Sequence, residues 1–189
     1  MFAVLSVVLL KFYKVLRIFY TKTLCKIPAQ YKIFFLLALS LFAGIVSFSF
    51  VSTGHDFASE LFVRSAPTYL LVAVVLVRSI LTFSANINSV SGGTFVPLVA
   101  IAVALGSLVF SFCSSFLGGE YYSLVLMLSV SACIASVMKM PLVSVAFTAE
   151  TFLCPQYLPF IIIASGISYL APALLKAGSI NEIIIESKK

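Results

Sequence analysis

Ser91-Gly92-Gly93-Thr94-Phe95-Val96-Pro97 is the stretch of this chain best equipped for chemistry, and it works through backbone rather than side chains. Two adjacent glycines allow a tight turn with no side chains in the way. Pro97 is tolerated in a first helical turn, where its missing N–H would have no partner. A helix opening at about Thr94 therefore leaves free N–H groups with the positive end of the helix dipole behind them. That is an anion site without a full positive charge. Such donors suit conduction, because a lysine in low dielectric would hold an anion too tightly to release it. A glycine pair before a helix serves a packing turn equally well, and from these residues alone both readings stand.

Charge inside apolar sequence is costly and often functional, which singles out Arg78, Lys139 and Glu150. Lys139, beside the break at Met140-Pro141, is expected to snorkel to the cytoplasmic interface. Arg78 is expected in a structural pair with a carbonyl or acid, and Glu150 in a packing role at the end of its helix. His55 adjoins Asp56 and reads as part of a hydrated loop; one histidine cannot build a multi-histidine metal site. Cys25, Cys113, Cys133 and Cys154 lack CxxC spacing, and three of them lie in apolar segments where a thiol packs as a small hydrophobe. No disulfide, metal or cofactor is expected. An intramembrane enzyme ranks last, since HExxH, GxSxG and paired intramembrane aspartates are missing from the sequence.

The elements that must position these residues are membrane helices. Of 189 residues, 62% are hydrophobic and 10% charged, and mean hydropathy is +1.19, which excludes a water-soluble globule. Uncharged stretches run over Ile33–Gly54, Ser79–Gly119, Tyr121–Met138 and Thr151–Leu175, each long enough to cross a bilayer. Ser79–Gly119 must hold more than one pass or half-pass. Leu70–Val77 and Pro97–Leu105 are apolar on every side, so the alternation of a membrane barrel is absent. Helical material is expected at about Phe2–Thr21, Ile33–Val51, Tyr69–Phe83, Thr94–Phe116, Tyr121–Val137, Leu142–Phe152 and Leu158–Leu175. Gly92-Gly93, Pro97, Pro141, Pro155 and Pro159 break these helices at membrane depth, an arrangement tolerated only in buried or wet sites and typical of transporters. Small residues four apart, Ser40/Gly44, Ala102/Gly106 and Ala132/Ser136, would permit close helix approach. In a chain this rich in Ala, Ser and Gly, each pair taken singly reads as chance.

Twelve Lys+Arg against six Asp+Glu give a net charge of +6, but the basic residues form no patch for nucleic acid. They mark topology. Lys11, Lys14, Arg17, Lys22, Lys26 and Lys32 all precede Asp56, which places the Thr21–Lys32 segment in the cytoplasm. Lys188 and Lys189 place the C-terminus on the same side, with an even number of crossings between. Apolar residues come before the positive ones, the reverse of a signal peptide, so no cleaved leader is expected.

Ser91–Pro97 resembles the GGxFxP motif of the CLC family of chloride channels and proton/chloride antiporters. Met138–Glu150 resembles that family's R-x-P-L-x-x-x-x-x-x-x-E segment, with Lys139 near the usual arginine. Leu158-Pro159-Phe160-Ile161-Ile162-Ile163 is similar to its L-P-x-x-I segment, and Val77–Thr82 precedes the glycines at the family's usual distance. The four matches fall in the family's order over roughly Phe34 to Ile183, which is far more specific than any one of them.

The resemblance implies an all-α polytopic membrane protein with broken transmembrane helices. Residues 1–189 would form the second inverted repeat, the C-terminal half of a CLC-type transmembrane domain. It implies chloride or a similar anion as cargo, held by the backbone N–H groups of Thr94 and Phe95, with Ser91, Gly92, Gly93 and Pro97 shaping the turn. It further implies a lipid bilayer, a missing N-terminal half, and a homodimer of complete subunits as partners. The family's first-half motifs, GSGIP and GxEGP, and the antiporters' inner proton-transfer glutamate are not in this sequence. Asn181 stands where the family closes the site with a tyrosine; an amide can still donate to an anion. The alternative is a non-conducting fragment or accessory membrane subunit that packs against a partner.

Overall fold

Long runs of Leu, Val, Ile and Phe become helices because hydrocarbon offers no partner for backbone N–H and C=O groups, and a helix satisfies them within the segment. A computed structural model of the chain describes residues 1–23, 29–46, 55–63, 66–87, 94–114, 118–153, 155–175, 177–178, 180 and 182–183. Helices follow in the order α1 (Phe2–Thr23), α2 (Ala29–Val46), α3 (His55–Val63), α4 (Thr68–Ile87), α5 (Phe95–Cys113), α6 (Tyr122–Val137), α7 (Pro141–Phe152) and α8 (Leu158–Leu174). Short 3-10 turns at Gly119–Tyr121 and Pro155–Tyr157 lead into α6 and α8. Among the described residues, four helical stretches are long and apolar enough to cross a membrane: Thr68–Asn86, Phe95–Cys113, Gly119–Val137 and Pro155–Leu174. The chain is an all-α, multi-pass membrane protein, and the uncharged run from Ser79 holds both the end of α4 and the whole of α5, as its length demanded.

The core is built around α6, which packs against α1, α5, α7 and α8. Every residue from Ser129 to Val137 is buried. Small side chains make this possible. Ser129 Oγ donates to the Ala102 carbonyl at 2.6 Å, and a Cβ added at Gly106 would stand 2.9 Å from Ser129 Cβ and 3.2 Å from Leu126 Cα. The Ala102/Gly106 pair, expected to be a chance spacing, is thus a point of close approach between α5 and α6. Burying the hydroxyls of α6 requires partners from other helices. Ser131 Oγ lies 3.0 Å from Ser144 Oγ, Ser144 Oγ donates to the Ser131 carbonyl at 2.7 Å, and Thr148 Oγ1 donates to the Ser144 carbonyl at 2.8 Å. Ser165 Oγ of α8 closes the seam on the Pro141 carbonyl at 3.0 Å.

Two expectations are corrected. His55 and Asp56 open α3 instead of lying in a loop. This nine-residue helix forms because it buries Leu61 and part of Phe62 against α5, and the Tyr122 hydroxyl donates to the Leu61 carbonyl at 2.7 Å. Secondly, α4 runs past Phe83 to Ile87. Asn86 Nδ2 donates to the Thr82 carbonyl at 2.6 Å, giving its amide an intrahelical partner in that last turn. The expected end of α2 at Val51, like Cys25, Cys154, Asn181, Lys188 and Lys189, lies outside the described residues.

Candidate anion site

The chain enters α5 through Thr94, whose φ of −75° and ψ of −18° are already helical. The first α5 backbone bond runs from the Leu98 N–H to the Thr94 carbonyl at 3.1 Å. Helix geometry therefore leaves the N–H groups of Thr94, Phe95 and Val96 without intrahelical partners, while Pro97 has none to leave. The Thr94 side chain makes no capping bond, so it does not compete for these donors. Helix opening at Thr94 was legible in the sequence to within one residue. Gly92, Gly93 and Ser91 lie outside the described residues.

The structure brings the α5 entrance against α7. The Phe95 and Phe147 rings meet edge to face, centroids 4.8 Å apart at 90°, a favoured aromatic geometry. Sequence reading missed this contact, although both phenylalanines lie inside the motif segments. Beside the pair lies a largely apolar cavity of about 390 Å³ between α3, α5 and α7, walled by Phe62, Phe95, Val99, Phe147 and Phe152. Its walls carry no charge, and their side-chain donors are the hydroxyls of Ser59 and Thr151, too few to replace the hydration of a bare anion.

The other break is built differently. Lys139 adopts a left-handed backbone with φ of +57°, Met140 has φ of −122°, and Pro141 opens α7 as its first residue, where proline is pre-organised for a helix. The turn reverses the chain and lets α7 return along α6. Lys139 reaches outward, and its Nζ donates to Glu182 Oε1 at 2.8 Å with both side chains partly exposed. That tethers the C-terminal segment, whose Ala177, Ile180 and Ile183 are buried. Arg78 is 3% exposed on α4. Glu150, expected in a packing role, is exposed on α7, because the buried face of that helix is taken by Ser144 and Thr148. Cys113 and Cys133 are free thiols, and Cys133 belongs to the core.

Compared with known families, residues 1–172 match the model described as voltage gated chloride channel. The match reaches 33 residues further toward the N-terminus than the motif resemblance from Phe34, taking in α1 and the start of α2. No curated protein and no solved structure matches the chain.

Proposed function

The chain belongs to the voltage-gated chloride channel family, and from that premise we propose that residues 1–189 supply the second membrane half of a CLC-type anion pathway. Its central anion is held by the Thr94 and Phe95 N–H groups at the α5 entrance, on a turn shaped by Gly92 and Gly93. The supporting observation is the uncapped start of α5, with its first bond at Leu98, inside the sequence that carries the GGxFxP pattern. Fixed amide dipoles replace part of the anion's hydration shell without binding it too firmly. The opposing donors come from a first half bearing GSGIP and GxEGP, and complete subunits pair as homodimers. Lys22–Lys32 and the C-terminus face the cytoplasm in this reading.

One set of donors from one side does not offset the desolvation of an anion at mid-membrane. Purified chain in liposomes is therefore expected to show no chloride efflux above empty vesicles, and co-reconstitution with a first half bearing both motifs is expected to restore it. If the combination stays silent while the two halves demonstrably assemble, the chain is instead a non-conducting accessory subunit.

A further inference from the structure

The segment beyond α8 is held by three apolar side chains and one ion pair. Ala177, Ile180 and Ile183 are buried in the hydrophobic core, and Glu182 Oε1 accepts from Lys139 Nζ at 2.8 Å. Two left-handed turns shape that pair. Lys139 directly follows the C-cap of α6 at φ +57°, a conformation that strains any residue with a Cβ. Glycine would suit this turn better, so what the lysine contributes lies in its side chain. On the other side of the pair, Gly178 at φ +72° leaves room for the carboxylate, because a Cβ there would stand 2.9 Å from Glu182 Oε2.

The two kinds of anchor yield to different conditions. Burial of the three apolar side chains favours the docked segment whatever the ionic strength, whereas the side chains of Lys139 and Glu182 are 37% and 54% exposed, so salt weakens their attraction. The joint to α8 is weak as well. Pro172, in the last turn of α8, has no N–H to give the Ser168 carbonyl, and the Ala177 N–H reaches back to the Pro172 carbonyl at 2.8 Å. We propose that residues 177–183 form a strap that opens and recloses beside the α6–α7 turn, with the Lys139–Glu182 ion pair as its salt-sensitive latch. That turn leads directly into α7 at Pro141, and α7 carries Phe147 to Phe95 at the α5 entrance. The strap is therefore a route from the C-terminal end of the chain to the candidate anion site. Only that route rests on the anion reading; the strap and its latch do not.

The test is amide hydrogen exchange of the full chain in detergent for wild type, Lys139→Met, Glu182→Gln and the double variant, each at low and at high salt. At low salt each single variant is expected to speed exchange of the peptide holding Ile180 and Ile183 about two- to fivefold. The double variant exchanges no faster than the faster single, because both substitutions delete the same pair. High salt speeds wild-type exchange there toward the rate of the variants and leaves the double variant unchanged. Exchange across Ser129–Val137 reports on the fold as a whole and stays at the wild-type rate throughout. Strap exchange indifferent to either substitution or to salt, effects that add in the double variant, or a rise shared by Ser129–Val137 overturns the latch. Should the variants fail to fold, the wild-type salt series decides alone. Faster strap exchange at high salt with α6 unchanged supports the latch, and a constant rate refutes it.

Discussion

Gly106 and Ser129 show what single residues do in this bundle. With no room for a Cβ between Gly106 and the Leu126 backbone, Gly106→Val is expected to destabilise by about 2 kcal/mol through overpacking, read as a lowered unfolding midpoint in detergent. Gly119, with nothing within 4 Å of its would-be Cβ, serves as the control, and Gly119→Ala is expected to be neutral. Ser129→Ala removes the bond to the Ala102 carbonyl and is expected to cost about 1 kcal/mol. These roles were half legible. Spacing alone placed Ala102 and Gly106 on one face, but which helix lies on that face is decided by tertiary packing. The Ser131–Ser144–Ser165 seam was invisible for the same reason: a serine in an apolar run reads alike whether its hydroxyl crosses to another helix or turns back on its own.

Helices, rather than residues, position the candidate site. The α5 entrance is steadied by the Phe95–Phe147 pair, so Phe147→Ala is expected to lower stability by about 1–3 kcal/mol. In a reconstituted complete pathway it should also weaken chloride binding, although Phe147 touches no anion. Unaltered binding in a folded Phe147→Ala protein would separate the α5 entrance from α7. Element boundaries were legible where glycine and proline set them: Thr94, Pro141 and Leu158 all begin or abut helices where expected. The short α3 was not, because nine residues opening on His-Asp carry too little apolar periodicity to outweigh the turn signal, and only packing against α5 and the Tyr122 hydroxyl makes it a helix. Topology is an element-scale matter too. Lys22→Cys and Lys188→Cys are expected to label from the cytoplasmic face alone, and labelling from opposite faces would reverse the assignment of one end.

At the scale of the whole molecule, apolar composition dictated an all-α membrane protein, and the family match over residues 1–172 fixes its kind. What composition could not convey is that α6 would bury every residue from Ser129 to Val137 while α8 leaves Ile163, Ile167, Leu170 and Leu174 exposed, since buried and lipid-facing helices are equally hydrophobic. The proposed anion site is one pair of amides, and Thr94 allows them to be tested directly. Its φ of −75° accommodates proline, so Thr94→Pro deletes one anion donor with little strain at its own φ, whereas Thr94→Ala keeps that donor. The decisive measurement is chloride binding to the chain assembled with a first half, for wild type and these two variants, with assembly verified for each. Losing a hydrogen bond to a charged group, about 1.5–3 kcal/mol, predicts affinity at least tenfold weaker for Thr94→Pro and nearly unchanged for Thr94→Ala. Equal chloride affinity in all three assembled proteins would contradict the assignment of the α5 amides as the anion site.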